Sequence, residues 1–338
     1  MVADRGLILA RLRAGGFVSG AEIGRRLGVS RTMVAKEVAA LASAGCRIEA
    51  VTGRGYRLLS LPDAPLPEVM AALWHGRQAH AVRFWPEVAS TMQLASAWAR
   101  EGAPAGATVA TDHQTEGRGR RGRTWQDMPG EALLASIVLR PGLAAGAAGW
   151  LPLAVAVGAA QAIAEVTGAE PGIKWPNDLL HEGRKLAGIL VELTLDEQEV
   201  RYAVAGLGVN VHQTRFPDEI AARATSLRQA FGYRGTRAEL LAALVPAVLD
   251  AVRRLEEEPE ALRAQWRALS VSLGREVEIV GLQGEARGVA VDVDELGRIV
   301  LEGPDGRRRA FSAGEISLAQ AGAAGSSGST GWSSSHRT

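Results

Sequence analysis

Apolar residues near the start of the chain recur at helical spacing: Leu7, Ile8 and Leu12, then Ile23 and Leu27, then Val34, Val38 and Leu41. That period predicts three short helices. Ser19 and Ser30 are natural N-caps for the second and third, and Gly28-Val29 between them makes the tight turn of a helix-turn-helix. From Cys46 to Leu59 the pattern changes to alternation, which predicts two strands with Gly53-Arg54-Gly55 at the tip, a winged variant of the motif. The stretch SLPDAPLPEV, with Pro62, Pro65 and Pro67, reads as a linker. Beyond it, the apolar runs Ala107 to Thr111, Ala132 to Leu139, Gly188 to Leu193 and Tyr202 to Val209 alternate with Ala/Leu helical segments, the pattern of a mixed α/β domain on one sheet. Short strands broken by Gly281, Gly284, Gly297, Gly303 and Gly306 predict a small C-terminal β-barrel, and the Gly/Ser-rich tail lacks the residues to build a core. The expected organisation is an α+β multidomain chain: 1–60, linker 61–69, 70–270, 271–319, and a disordered tail 320–338.

Composition changes this picture in two places. The net charge is only +1, but residues 1–60 hold ten Lys/Arg against four Asp/Glu while the remainder holds 28 against 33, so the N-terminal unit faces an anionic partner. A single cysteine, Cys46, excludes internal disulfides and multi-cysteine metal sites and fits a cytoplasmic setting. The start MVADRGLILA lacks a long apolar core and a small-residue cleavage site, so no secretory signal is expected. The uncharged stretch Pro141 to Ala164 is built from Ala and Gly with Pro152 and Gln161 inside it, which favours a buried helix over a membrane span.

With Val34, Val38 and Leu41 turned inward, the third helix leaves Arg31, Thr32, Ala35 and Lys36 outward near its N-terminal end, where they would meet a major groove. Arg25, Arg26, Arg47, Arg54 and Arg57 flank it as phosphate partners, with Arg54 at the wing tip. A small helical interaction domain with a solvated basic face is the alternative.

The chemistry concentrates in two segments. In Gln114 to Trp125, Arg118, Arg120, Arg121 and Arg123 interleave with glycines between two strand-like runs; glycines let a backbone fold closely over a ligand, and guanidinium groups pair with phosphate or carboxylate. A solvated charge run, or a disordered nucleic-acid-binding segment, is the competing reading. The second segment runs from Gly172 to Glu192: Trp175-Pro176-Asn177-Asp178 is a strand end entering a turn, Glu182-Gly183 a hairpin tip, and Leu186 to Leu193 a returning strand. Lys185 enters that strand either as a catalytic cation or as a snorkelling edge residue. Asp178 and Asn177 either serve a ligand, Asp178 with Mg²⁺, or cap a turn. Gly206-Leu207-Gly208-Val209-Asn210 lacks the third glycine and the following helix of a dinucleotide fingerprint.

Together these segments resemble the biotin protein ligase family, and with the N-terminal unit its bifunctional ligase and repressor branch. The signature Gly-Arg-Gly-Arg-x-Gly-Arg-x-Trp stands at Gly117 to Trp125, Lys-Trp-Pro-Asn-Asp at Lys174 to Asp178, Lys-Leu-Ala-Gly-Ile-Leu-Val-Glu at Lys185 to Glu192, and Gly-Leu-Gly-Val-Asn at Gly206 to Asn210. The resemblance implies that Ser90, Thr91, Gln114, Gly117, Gly188 and Lys185 line a biotin pocket, with Arg118, Gly119 and Arg120 on the loop folding over it. It places Arg120, Arg123, Trp125, Asn177 and Asn210 near the adenylate. Met92 stands where the family has Asn. The implied C-terminal barrel is SH3-like.

The implied reaction joins biotin to ATP as biotinyl-5′-AMP, with Lys185, Arg118, Arg120 and Mg²⁺ neutralising the phosphoryl transition state, and then passes biotin to a lysine of a biotin carboxyl carrier protein. Asp178 is a candidate to help deprotonate that amine. The implied partners are operator DNA and a second copy of the chain, since a helix-turn-helix reads paired half-sites. Two alternatives stay open at this point: a biotin-sensing repressor without turnover, and a ligase for another carboxylic acid such as lipoate.

Overall fold

The computed structural model describes residues 4–281, 284–312 and 314–318; the tail expected from 320 onward lies outside them. Three helices open the chain, α1 (Arg5–Arg13), α2 (Gly20–Leu27) and α3 (Arg31–Ser43), followed by the hairpin β1 (Arg47–Val51) and β2 (Gly55–Ser60). The expected caps are present: the Ser19 hydroxyl accepts from Glu22 N–H, that of Ser30 from Met33 N–H, and Gly28 closes α2 with φ 66°. One expectation fails. Leu7 is 38% exposed and Leu9 is buried instead, because α1 turns Ile8, Leu9 and Leu12 toward α3 and α4 (Pro67–Leu73).

The residues between hairpin and α4 are not a loose tether. Asp63 accepts from His212 Nε2 and from the Arg237 backbone N–H, both at 2.8 Å, and from Arg237 Nε, while its carbonyl accepts from Ala238 N–H. Arg13 reaches across to donate to Ala72 O at 2.9 Å.

The central domain is one seven-stranded mixed sheet. Its strands are β3 (Val82–Val88), β4 (Thr108–Gln114), β5 (Ala132–Leu139), β6 (Gly172–Lys174), β7 (Asp178–His181), β8 (Arg184–Asp196) and β9 (Glu199–Asn210), in the order β3-β4-β5-β9-β8-β7-β6. Only β3 and β4 run parallel. The helix α5 (Thr91–Arg100) packs on β4, β5 and β9, around a small cluster of Met92, Ala95, Val109, Val138 and Val204. The larger core holds α6 (Leu151–Thr167), which takes up the second half of the uncharged stretch and reaches Glu165 in its last turn, buried against the sheet and a long later helix. Between β9 and that helix lie the short α7 (Asp218–Ala221) and α8 (Leu227–Phe231); α9 itself spans Arg237–Glu257 and α10 Pro259–Leu269.

Five antiparallel strands finish the described chain: β10 (Glu276–Gly281), β11 (Gly284–Val293), β12 (Ile299–Glu302), β13 (Arg308–Phe311) and β14 (Glu315–Leu318), ordered β13-β12-β11-β10-β14. Indole N–H groups anchor this sheet to the central domain, Trp150 donating to Asp294 O at 2.8 Å and Trp175 to Gly297 O at 3.1 Å.

Candidate active site

A cavity of about 160 Å³ opens where the Gly/Arg loop leaves β4 and crosses β8 and β9. At one end the polar groups come from the start of α5. Gln114 Oε1 accepts from both the N–H and the hydroxyl of Thr91, at 2.8 and 3.0 Å, and the Thr91 hydroxyl also meets Ser136 Oγ at 2.8 Å. A backbone N–H can only donate, so these contacts fix the amide with its oxygen inward and leave the Nε2 donor for the cavity. Met92 fills the space behind them: its sulfur lies 2.6 Å from where a Cβ on Gly206 would stand.

Cations and an indole make the other end. Lys185 Nζ sits 2.7 Å from Asp178 Oδ1 and 5.6 Å from the centre of the Trp125 ring. A bulge between β7 and β8 sets the lysine's position, and its backbone is held from the far side, Lys185 N–H donating to Arg223 O and Thr225 N–H to Lys185 O. Burial pulls the pKa of the Arg120 guanidinium down, with Asp178 opposing and Arg121 reinforcing the effect. A cation so placed favours an incoming anion. Trp125 lies flat against the sheet only because positions 188 and 208 are glycine: a Cβ there would come within 2.9 and 2.6 Å of its ring. Its buried indole N–H has no partner among the described residues, a donor left for an acceptor on a ligand.

The loop itself is a small hairpin, Trp125 N–H donating to Gly117 O at 3.0 Å and Gly119 N–H to Arg123 O at 2.6 Å. Arg121, at φ 59°, reaches out of it to donate to Val280 O on β10, and Gly314 and Ile316 of the C-terminal domain complete the cavity wall. The sequence carried no sign that this last domain would line the site, and Lys174 and Leu190, which lie within the quoted motifs but were not expected at the pocket, also stand in the wall.

Of the residues expected at the pocket, Ser90, Thr91, Gln114, Arg118, Gly119, Arg120, Arg123, Trp125, Asn177, Asp178, Lys185 and Gly188 line this cavity. Two do not. Gly117 is buried at the base of the hairpin, and Asn210 lies behind Lys185, its Nδ2 donating to Lys185 O and Thr225 O while its Oδ1 accepts from Gln213. Asn177 has already committed its Nδ2 to Ile189 O, which leaves its carbonyl oxygen for a ligand. In the N-terminal unit Arg31, Thr32, Ala35, Lys36 and Arg54 are all exposed, and the Arg54 guanidinium stacks 4.1 Å from the Phe17 ring. Among the described residues no group of three His, Cys, Asp or Glu side chains could hold a metal ion, and Asp178 is the one carboxylate in the cavity wall.

A helix-turn-helix joined to a cavity that fixes an amide donor at one end and holds Lys185 and a desolvated Arg120 at the other defines a DNA-reading protein with a ligase-type site for an anionic substrate. The comparisons agree. Residues 85–210 match the Biotin/lipoate A/B protein ligase family, 5–57 an HTH domain and 272–319 the Biotin protein ligase C terminal domain. The chain is 34% identical over 301 residues to the Bifunctional ligase/repressor BirA of Bacillus subtilis, covering 88% of this chain and 93% of that one. It is 32% identical over 316 residues to the protein of the same name from Escherichia coli, covering 93% and 97%. Among solved structures, the biotin protein ligase from Aquifex aeolicus in complex with biotin and ATP superposes with a TM-score of 0.61 at 28% identity, covering 71% of this chain and 99% of that one. The chain belongs to the biotin protein ligase family.

Proposed function

We propose that this chain activates biotin with ATP, transfers it to an acceptor lysine, and represses transcription in response to biotin. The observation that carries the reading is the pairing of a pre-oriented Gln114 amide at one end of the cavity with Lys185 and a desolvated Arg120 at the other. In the first step a biotin carboxylate oxygen bonds to the α-phosphorus of ATP and pyrophosphate leaves. Lys185 and Arg120 bear on the negative charge that builds there, in a site partly closed to water, where fixed charges act most strongly. In the second step the acceptor amine attacks the biotinyl carbonyl and AMP departs. Asp178, already paired with Lys185, is the carboxylate on hand to receive the amine's proton.

Mg²⁺ usually keeps several waters and binds through one or two carboxylates plus substrate phosphates, so a lone Asp178 fits it. When bound, it would neutralise phosphate charge.

The acceptor is a biotin carboxyl carrier protein and the setting cytoplasmic, a reading supported by the ATP-dependent chemistry and the single buried cysteine. We read the C-terminal sheet as a small SH3-like barrel. A homodimer is supported by β8: from Leu190 to Asp196 it pairs only with β9 among the described residues, and Leu193 and Leu195 on it are exposed. Pyrophosphate release with biotin and ATP tests the ligase. Gel shifts on the protein's own upstream DNA, with and without biotin and ATP, test the repressor; equal affinity in both conditions refutes the biotin response.

A further inference from the structure

We propose that His113 and Asp127 form a clamp joining the two feet of the Gly/Arg loop, acting as positioning residues that keep the activated acid in the site; this rests on the ligase reading above. His113 Nδ1 and Asp127 Oδ2 lie 3.0 Å apart, and the Asp127 side chain is only 3% exposed. A carboxylate only accepts, so the ring N–H donates. A carboxylate this far out of water requires such a partner, and removing the partner leaves an uncompensated buried acceptor.

The pair's place in the chain gives it its role. His113 immediately precedes Gln114, and Asp127 comes two residues after Trp125. The two ends of the ligand cavity therefore hang from the two halves of one contact. Nearer the loop tip the backbone is tied at Trp125 N–H to Gly117 O, and further down at Gly130 N–H to Asp112 O, 3.1 Å. His113 and Asp127 bridge the interval between those ties by side chains. The His113 carbonyl is itself held by the Thr111 hydroxyl at 3.0 Å, so the histidine side of the clamp is rooted in β4. Gln114 stays held by Thr91 and by its pairing with Val88 of β3, so without the clamp the closed site can still form, but the Trp125 side of the loop opens more readily over a bound adenylate.

The test uses the full-length enzyme loaded with biotin and ATP. Synthesis of biotinyl-5′-AMP is measured in a single turnover, and its release is then followed in a chase. His113→Ala and Asp127→Ala should release it about tenfold faster, the range expected when a hydrogen bond to a charged group is lost, with synthesis changed less than about threefold. Asp127→Asn should return release to near wild type, because its carbonyl oxygen still accepts from the ring N–H. If Asp127 left alone in the interior prevents folding, the double variant His113→Ala/Asp127→Ala, which strands no carboxylate, carries the same expectation. Folded Ala variants that melt earlier yet release at the wild-type rate would overturn the clamp. A wild-type protein that makes no adenylate would instead bring down the ligase reading, and the clamp with it.

Discussion

Gly208→Ala tests the physical logic of the site with the smallest possible change. The added Cβ would stand 2.6, 2.7 and 2.9 Å from Cε2, Cζ2 and Cδ2 of Trp125. Carbon atoms in contact settle at about 3.5–4.0 Å, so the ring must withdraw by about 1 Å. β9 cannot yield instead, since Gly208 is paired on both sides, with Leu134 of β5 and Gly188 of β8. Trp125 sits on a loop and is only partly buried, so the stability cost should fall near the lower end of the overpacking range, about 1 kcal/mol. Catalysis should suffer more, because a wall displaced by that distance can cost up to about a hundredfold in rate. Steady-state pyrophosphate release at varied biotin and ATP should show kcat/KM reduced at least about tenfold, while the melting temperature moves a few degrees. In a Trp125→Ala background the same substitution should cost almost nothing further, since the atoms it strikes are gone. A Gly208→Ala enzyme within about twofold of wild-type kcat/KM would refute the claim that the glycine exists to seat Trp125.

Lys185→Ala should lower adenylate formation by roughly two to three decades with a near-normal melting curve, because a partly exposed ion pair contributes only about 0–1 kcal/mol to folding; turnover above about a third of wild type would return Lys185 to the role of an edge residue. Arg120→Gly should loosen the loop and spread biotin to lysines of bystander proteins, so unchanged labelling of an unrelated protein counts against a retaining role. Asp63→Asn should destabilise the protein at neutral pH. Burial pushes the Asp63 carboxyl up, but hydrogen bonds from His212 and Arg237 and the charge of Arg237 together hold it below its ordinary value. A carboxyl depressed in the folded state stabilises above its unfolded pKa and loses that contribution as pH falls through the folded one. The gap in melting temperature between wild type and Asp63→Asn should therefore close on acidification below about pH 4, and a gap constant with pH would contradict the assignment.

Much of the fold was readable because local signals agree with one another. Ser19, Ser30 and Gly28 bracket two helices whose apolar faces have the right period, and the run Ala132 to Leu139 is a strand over its whole expected length. The glycines of Gly206 to Asn210 were visible as a motif but not explicable, since the reason for Gly208 is an indole more than eighty residues away in sequence. Leu7 and Leu9 are equally apolar, and only the packing of α1 decides which is buried. The linker shows the same limit: residues 67–69 of the expected 61–69 linker instead open α4, because Pro67 fits the first turn of a helix, and nothing local revealed that Asp63 would be pinned by Arg237 and His212. For the site, the residue types and their order were legible. The orientation of Gln114, the setting of Asn210 behind Lys185 and the wall supplied by Gly314 and Ile316 are not, because each depends on how distant segments pack.

The central claim is that this cavity activates biotin, and the most direct test is to identify the product. The purified full-length protein is incubated with ATP, Mg²⁺ and either biotin or lipoate, and pyrophosphate and acyl-adenylate are quantified together. The account predicts equal amounts of pyrophosphate and biotinyl-5′-AMP with biotin and neither product with lipoate. Absence of both products with biotin, or adenylation of lipoate in preference to it, would contradict the account.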